Sequence, residues 1–556
     1  MRHHAHDRAV AEPEGRGARV LWVACAVCAL ISAGSRPEPV RPGAVGMRPV
    51  ISPTNAYEGA AGIQIRSTHG GALWVADGVR ASMQHHARGV VQLVPAPDHR
   101  HSAQLTSFPS AVQWRPPKPG LPSASIMRMV QVDDVGRPGP LHMHTTLFTD
   151  HGDLPVVSLL MDDAALLDPD TGIHVIGHAV MHPNDRMLDL FEGDGRWWKY
   201  PGNYQFRGRA WQRGAQVQIL DPQGDEIVQV PTGVRIHGNI TRGFPQKAFR
   251  LVLQDPLSSD LFGDGPGTEV LVLRAAGNDQ PKAMLRDPLI QGLCDGLPLE
   301  VTRSMPCVVY VNGAYWGVYH LQQRIDEKEL ARRYGLAEKH VAMLEVEDDM
   351  LHGDPTEVGR FRTFVETLEA WDGRTAEGLA QARAGMDVDA FLTYMAVLLM
   401  VGNQDWPYHN VKFWRYTGTK GNGRPLDGRW NFILGDTDLA LGAHASPQED
   451  MLAVVQRNAR WPVAAVFMAL MRSPEVKQQF TARVAELHHG TLAKARMHAH
   501  LDSMTHRMAP EMQRHTARWR KPADHHAWAA EVGHVRRFVT QRQGTIDQWL
   551  GIEGMR

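Results

Sequence analysis

A loop in the C-terminal half carries two side chains that could act on a phosphate group. Asp405 and Asn410 stand five residues apart in this loop, with Pro407 between them. A carboxylate so placed can orient or deprotonate a hydroxyl group, and an amide oxygen five residues further on can hold a divalent cation. The pair therefore has the groups that a phosphoryl-transfer loop needs. Taken alone, Asp405 could equally cap a turn.

Two further carboxylates follow a short apolar segment, Trp430–Leu434, which is predicted as a β-strand. Asp436 and Asp438 come directly after it, so both would lie at a strand exit. Mg²⁺ prefers hard oxygen ligands, and one or two carboxylates together with phosphate oxygens suffice to bind it. Turn capping is the alternative for each Asp by itself, but the ordered set with Asp405 and Asn410 favours a functional role.

An upstream lysine stands on an apolar face. Residues 234–253 indicate a strand, a Gly-containing loop and a second strand, and a period of two places Lys247 on the apolar face of the second strand. The other members of that face are Phe249, Leu251 and Leu253. An ammonium group there needs an anionic partner, either a carboxylate or a phosphate. A lysine reaching solvent from a strand end is the alternative. A P-loop is excluded, because Phe244-Pro245 occupy the place of its Lys-Ser/Thr pair.

The elements that would position these residues are β-rich first and helical later. Leu154–Leu160 indicates a buried strand, and Asn312-Gly313 between apolar runs predicts a hairpin with a type I′ turn. Asp387 and Asp389 can cap a buried helix over Ala390–Val401. Residues from about 449 to 550 are typical of helices.

Residues from about 50 to 150 form short apolar pieces broken by Gly, Pro, Asp and His. Examples are Gly89–Val94, Ala111–Trp114 and Met127–Val132. This spacing predicts a small antiparallel β-sandwich.

Composition limits the classes of function. The chain has 556 residues, enough for three or four domains, and 59 Lys plus Arg balance 60 Asp plus Glu to a net charge of −1. This balance argues against a polycation that binds nucleic acid through its phosphates. Hydrophobic residues make up 43%, which argues against bulk disorder. The 29 His lack the spacing of a zinc enzyme and are expected at the surface.

The N-terminus has the pattern of a secretory signal. Arg16 and Arg19 precede the apolar run Val20–Ile31, and small residues follow it. An uncleaved membrane anchor is the second choice, because a bilayer span needs about 20 apolar residues. Residues 1–34 are assigned to this segment and 35–50 to a linker. Outside it only Cys294 and Cys307 remain, which allows at most one intramolecular disulfide and excludes an all-Cys zinc site.

From Leu154 onward the chain resembles the CotH kinases, atypical protein kinases first known from spore coats. The matching segments, in the family's order, are 154–159, 172–177, 235–247, 285–288, 310–319, 403–410 and 436–438. The region before Leu154 resembles the chitobiase-like or fibronectin-like β-modules that often precede the kinase domain.

The resemblance implies an α+β protein, a degenerate two-lobed protein-kinase-like fold that binds ATP and Mg²⁺ (or Mn²⁺) in its cleft. The implied domains are a β-sandwich module at 51–150, a β-rich N-lobe at 151–325 and an α-rich C-lobe at 326–556. By motif position Asp405 is the implied catalytic residue, and the metal ligands are Asn410, Asp436 and Asp438. Lys247 is assigned to the nucleotide phosphates, with Arg242 a weaker candidate. The family commonly has an acidic residue where this chain has Gln322-Gln323, which puts an ion pair to Lys247 in doubt.

The leading hypothesis is an exported kinase that transfers the γ-phosphoryl group of ATP to Ser or Thr of a surface or secreted protein, with the enzyme itself secreted or associated with the cell envelope. The N-terminal segment could anchor it to a membrane, and the β-module could contact glycans or the cell surface. The alternative is a non-catalytic pseudokinase that acts as a cell-surface or matrix binding protein. Scarce ATP outside the cytoplasm and the Gln322-Gln323 departure favour that alternative.

Overall fold

The computed structural model describes residues 47–68, 71–87, 89–184, 187, 196–345, 349–419, 421 and 423–551. Helices and strands both make up large parts of the chain, so the α+β class expected from the sequence is confirmed. The segments assigned to the leader (1–34) and to most of the linker (35–50), together with Cys25 and Cys28, lie outside the described residues.

Two small antiparallel sheets form the first part of the chain. Their strands are β1 (Val50–Ser52), β2 (Ile63–Arg66), β3 (Leu73–Asp77), β4 (Gln84–His86), β5 (Val90–Leu93), β6 (Ser125–Val132) and β7 (Pro138–Thr146). One sheet has the order β1-β2-β5 and the other the order β4-β3-β6-β7. Both sheets cover one apolar cluster, which contains Ile65 from β2, Val75 from β3 and Met129 from β6.

The next seven strands close into a barrel. They are β8 (Val156–Met161), β9 (Arg213–Leu220), β10 (Glu226–His237), β11 (Ala248–Leu253), β12 (Val270–Arg274), β13 (Ser304–Val311) and β14 (Ala314–Gln323). The order is β10-β11-β12-β14-β13-β8-β9, and β9 pairs with β10 to close it. Val234, Phe249 and Leu271 fill the interior. Because side chains alternate along a strand, Arg274 at the end of β12 projects to the outer face.

Helices dominate the remainder, which also contains a four-stranded sheet. Its strands are β15 (Val341–Glu345), β16 (Asp349–His352), β17 (Lys412–Tyr416) and β18 (Asn431–Ile433), in the order β16-β15-β17-β18. The helices are α1 (His99–Thr106), α2 (Asp163–Leu167), α3 (Arg286–Leu293), α4 (Glu327–Tyr334), α5 (Thr356–Ala370), α6 (Ala376–Gly385), α7 (Val388–Met400), α8 (Met451–Arg457), α9 (Pro462–Leu470), α10 (Pro474–His489), α11 (Lys494–Trp519) and α12 (His525–Gly551). The largest apolar cluster lies among these helices and encloses α7.

Two local predictions are confirmed with their physical causes. Asn312 and Gly313 join β13 to β14 with φ angles of 51° and 78°, the positive values that a type I′ turn requires. The Asp387 side chain accepts a hydrogen bond from the backbone N–H of Ala390 and so caps α7. Nearly every residue of α7 is buried, as its unbroken apolar sequence indicates.

The strand expected at Ala111–Trp114 is wrong. These residues form a turn in which the Trp114 N–H donates to the Ala111 carbonyl, and the prolines that follow cannot donate to a sheet ladder. Helix α1, which Asp98 caps, was not predicted from the sequence. Leu105 of α1 belongs to the apolar cluster of the barrel, so this helix joins the first part of the chain to the second.

Both described cysteines are buried free thiols, Cys294 and Cys307. Burial raises the pKa of each to about 12, so neither is a reactive thiolate at neutral pH. Within the described ranges, none of the helices has the length and apolarity to span a bilayer.

Candidate active site

The loop after α7 brings Asp405 and Asn410 together. Asn410 Nδ2 donates to Asp405 Oδ2 at 2.8 Å, and Asn410 has a φ of 59°, a left-handed conformation that asparagine tolerates. Trp406 is buried beside Asp405, and its Nε1 donates to the hydroxyl of Tyr394 in α7 at 3.0 Å. The helix and the buried indole therefore hold the carboxylate in place.

The pKa of Asp405 is raised above its ordinary value, first by burial and then by the nearby charge of Asp436. Asn410 and His409 act in the opposite direction, through a hydrogen bond and a positive charge respectively. A carboxylate with a raised pKa is a better acceptor for a hydroxyl proton than an ordinary aspartate.

Asp436 and Asp438 lie in the turn that follows β18, and Asp287 holds this turn in place. Asp287, on α3, accepts hydrogen bonds at 2.9 Å from both the backbone N–H and the hydroxyl of Thr437. Asp436 has a φ of 41°. Because Lys412 pairs with Ile433, continuing the antiparallel register brings Asn410 opposite Gly435, next to Asp436.

Arg274 connects the barrel to these carboxylates. Its Nη2 lies 2.5 Å from Asp436 Oδ1 and 3.1 Å from Asp438 Oδ2, and its Nε lies 3.7 Å from Asp287 Oδ2. Burial by itself would lower the pKa of Arg274, but the three carboxylates raise it above the ordinary value. One guanidinium group thus compensates three acidic groups, a role that no motif in the sequence around Arg274 indicates.

Asp436 and Asp438 differ in their environments. Burial and the charge of Asp436 raise the pKa of Asp438 well above its usual range. Burial also acts to raise the pKa of Asp436, but Arg274, Asp438 and Lys412 together lower it. Asp438 Oδ2 also accepts the backbone N–H of Asn278 at 2.7 Å. A Cβ at Gly277, whose φ is 59°, would overlap that same oxygen. Glycine is therefore required there for Asp438 to reach its place.

The predicted phosphate role of Lys247 is not supported by its position. Lys247 is fully buried, and its Nζ donates to the carbonyls of Arg242 at 2.8 Å and Phe244 at 2.9 Å, 3.8 Å from the centre of the Tyr204 ring. The period of two correctly places this side chain in the apolar interior. The partner differs because backbone carbonyls, which a sequence pattern cannot reveal, satisfy the amine.

Arg242 is also directed away from the carboxylates. Its guanidinium donates to four backbone carbonyls, those of Tyr204, Phe206, Ile236 and Gly238. Arg242 and Lys247 together thus brace the loop between β10 and β11. Neither has a described contact with Asp405, Asn410, Asp436 or Asp438.

The Gln322-Gln323 departure belongs to a different network. Gln323 is buried; its amide nitrogen donates to both oxygens of Asp264, at 2.9 and 2.8 Å, and its amide oxygen accepts from Arg333 at 2.8 Å. The cation beside the candidate site is Arg274, and its charged partners are Asp436, Asp438 and Asp287. An ion pair between Lys247 and the Gln322-Gln323 position is therefore not a feature of this fold.

A neighbouring buried pair shapes the start of α3. Asp279 accepts the backbone N–H groups of Leu285 at 2.9 Å and Arg286 at 3.0 Å, and it binds the Arg286 guanidinium. Arg286 is itself fully buried. These contacts set the first turn of α3 and hence the direction of Asp287.

The oxygen donors of this site fit a hard divalent cation. The carboxylates of Asp436 and Asp438 and the amide oxygen of Asn410 are ligand types that Mg²⁺ and Mn²⁺ accept. Across the described ranges, no cluster of three or more His, Cys, Asp or Glu forms a metal site on protein groups alone. A cation that shares its coordination with substrate phosphates needs only one or two carboxylates.

Comparison with known proteins identifies the family of this chain. A search of curated proteins finds no match to the chain. The family described as CotH kinase protein matches residues 234–546, a stretch that includes the end of β10, β11 to β14, Arg274, Asp405 and Asp436. That match covers more than half of the 556 residues. The chain therefore belongs to the CotH kinase family.

Proposed function

We propose that this chain transfers the γ-phosphoryl group of ATP to Ser or Thr hydroxyls of a protein. Family membership supports kinase activity. The observation that carries the proposal is the meeting of Arg274 with Asp436 and Asp438 beside the Asp405–Asn410 loop. Phosphoryl transfer depends on positioning and on charge compensation, and these residues offer both.

Arg274 supports a degenerate two-lobed kinase arrangement. It ends β12, the third strand of the antiparallel run β10-β11-β12, and α3 with Asp287 is the next regular helix. In protein kinases a Lys on the third strand holds the nucleotide phosphates and pairs with a Glu on the following helix. Arg274 and Asp287 are the corresponding cation and carboxylate. We therefore assign the phosphate role to Arg274 in place of Lys247.

Each residue has a defined task in this mechanism. Asp436, Asp438 and Asn410 would hold Mg²⁺ or Mn²⁺, which supplies positive charge to the phosphate oxygens of ATP when bound. Arg274 adds a permanent charge and a planar set of donors, which suit phosphate geometry. Asp405 accepts a hydrogen bond from the acceptor hydroxyl, orients it and takes its proton.

A radiolabel assay tests this assignment. Wild type should incorporate label from γ-labelled ATP in the presence of Mg²⁺ or Mn²⁺. Asp405→Asn should incorporate it at least about 100-fold more slowly, because a general base accelerates such a reaction by about 10²–10⁴-fold. Asp389→Asn, which neutralises an exposed carboxylate in the first turn of α7, is the matched control and should keep full activity. Asp405→Asn retaining wild-type incorporation would overturn the mechanism.

The alternative, a pseudokinase that serves as a binding protein, makes a different prediction. Mg-ATP would then raise the unfolding temperature by mass action without any transfer of label. The bonding of Gln323 to Asp264 and Arg333 removes one reason for that alternative, because no ion pair depends on an acid there.

We further propose that the protein acts outside the cytoplasm, secreted or held at the cell envelope. The support is the charged, apolar and small-residue order of residues 16–35. The first two sheets would then act as a spacer or contact glycans, and the near-zero net charge disfavours nucleic acid as a partner. Cell fractionation with an antibody against the folded region tests the location, and a cytoplasmic protein of full length would contradict it.

A further inference from the structure

The interior of the barrel contains basic side chains that have no described contact with the acidic groups of the active site. Lys247, His174 and Arg518 are all buried there, with exposures of 0%, 2% and 2%. The positive charges of Lys247 and Arg518 both lower the pKa of His174, after burial itself. Lys247 is satisfied by two carbonyls. Nε and Nη1 of Arg518 have no such acceptors among the described residues.

Arg518 enters this interior from the last turn of α11. Its guanidinium carbon lies 3.8 Å from the centre of the Trp519 ring and 4.7 Å from that of Trp316. Its Nε and Nη1 are buried, and neither has a hydrogen-bond partner among the described residues. Burial lowers the pKa of Arg518 to about 9, so the group stays charged at neutral pH.

Two more unpartnered nitrogen atoms lie in the same cluster. Trp316 Nε1, a donor, and His174 Nε2 are both buried without hydrogen-bond partners in the described part of the chain. The His174 ring already bonds to its own backbone, so Trp316 Nε1 is the donor of the two that needs an acceptor. The His174 ring centroid is 5.3 Å from that of Trp316 and 6.3 Å from that of Trp519. None of the described contacts of Arg518, Trp316 or His174 is with a carboxylate.

A buried charge without a partner is unfavourable, and so is each buried donor without an acceptor. A water molecule could accept from one or two of these donors, but it would leave the charge of Arg518 uncompensated. A small anion would accept from the donors and also neutralise the charge. Cation–π contacts with the two indoles lessen the cost for Arg518 without supplying an acceptor.

We propose that a small monovalent inorganic anion, of the size of chloride, binds inside the barrel between Arg518 and Trp316. The site is separate from the proposed kinase centre and does not depend on its activity. It would stabilise the docking of α11 on β14, where Trp519 Nε1 donates to the Trp316 carbonyl at 2.6 Å. The ligand is thereby a structural ion that ties the helical part to the barrel.

Thermal unfolding of the full chain tests the site. At constant sodium concentration, replacement of gluconate by chloride should raise the unfolding temperature. Once the site is saturated, each tenfold increase in chloride concentration should raise that temperature by an equal step. Arg518→Met keeps an apolar stem and removes the charge, so its unfolding temperature should no longer respond to chloride. Arg496→Met, on the exposed side of the same helix, is the matched control and should respond as wild type does.

Two further measurements keep the proposal open to refutation if Arg518→Met does not fold. Trp316→Phe removes one donor and keeps an aromatic ring, so it should shift the chloride response to higher concentrations. A crystal of the wild-type protein grown in bromide should show an anomalous peak between Arg518 and Trp316. An unfolding temperature that is the same in chloride and gluconate, or a bromide crystal with only water at this position, would overturn the proposal.

Discussion

Replacing Arg274 by methionine should destabilise the protein and make its stability depend on divalent cations. Arg274 contacts Asp436 at 2.5 Å and Asp438 at 3.1 Å, and it is the cation shared by these two carboxylates and Asp287. Methionine fills a similar apolar volume but leaves the negative charges without their partner.

The size of the effect follows from the contacts. Two unit charges 4 Å apart interact by about 4 kcal/mol at an effective dielectric constant near 20. Loss of one partner from a buried ion pair costs about 3–5 kcal/mol. The Asp436 side chain is 32% exposed, and Asp438 can hold a proton because its pKa is raised, so we expect the lower end, about 3 kcal/mol.

Chemical denaturation with and without Mg²⁺ measures this loss. Without a divalent cation, the free energy of unfolding of Arg274→Met should be about 3 kcal/mol below that of wild type. Added Mg²⁺ should raise the free energy of unfolding more in Arg274→Met than in wild type, since the cation replaces the missing positive charge. Arg383→Met is the control: Arg383 pairs with Glu475, both side chains are largely exposed, and such surface pairs contribute about 0–1 kcal/mol. A change below about 1 kcal/mol in Arg274→Met, or no added response to Mg²⁺, would refute the reasoning.

Gly277→Ala should reduce phosphate transfer and weaken its dependence on Mg²⁺, because a Cβ would overlap Asp438 Oδ2 in a backbone with a φ of 59°. Gly208→Ala is the control for backbone strain alone, because Gly208 has a φ of 86° and open space around it. Equal activity of the two variants would contradict this prediction. Acid should destabilise the protein through four buried histidines whose pKa burial lowers to about 4: His142, His144, His320 and His515. The unfolded chain binds these protons near pH 6.5, whereas the folded protein binds them only near pH 4. The free energy of unfolding should therefore be unaffected by these histidines above pH 6.5 and should fall between pH 6.5 and 4, by at most about 1.4 kcal/mol per pH unit for each histidine. Urea denaturation at pH 7.5 and pH 5 measures it, and equal stability at the two pH values would contradict it.

Sequence patterns were informative wherever a local cause determines the structure. The Asn312-Gly313 turn and the Asp387 cap are short-range effects, so their residue types suffice to predict them. Asp405 and Asn410 were also found as a pair, because a loop of five residues keeps them close whatever surrounds it. The structure adds that they bond to each other at 2.8 Å.

Long-range partners could not be predicted in the same way. Arg274 is an ordinary strand-end arginine in the sequence, and only the closure of the barrel against α3 shows that it meets Asp287, Asp436 and Asp438. Lys247 presented the opposite problem. The period of two predicted the burial of Lys247. That pattern cannot distinguish a phosphate from the backbone carbonyls that the amine binds in the structure.

Histidines gave a similar lesson about composition. Their scattered positions suggested a surface location, yet His320 and His515 are fully buried at strand and helix contacts. His515 Nδ1 accepts the backbone N–H of Val318 at 3.0 Å, and Nε2 faces the Lys521 carbonyl at 3.0 Å. Since the neutral ring can both accept and donate, histidine suits such a position between two backbone groups.

Transfer of label from ATP carrying the isotope at either the γ- or the α-phosphate tests the central claim most directly. With folded wild-type protein and Mg²⁺ or Mn²⁺, the account predicts that protein is labelled from the γ-position only, and that Asp405→Asn removes the label. Label from the α-position would mean nucleotide transfer in place of phosphorylation. Label from neither position would contradict the assignment of Asp405, Asp436 and Arg274 as a kinase centre.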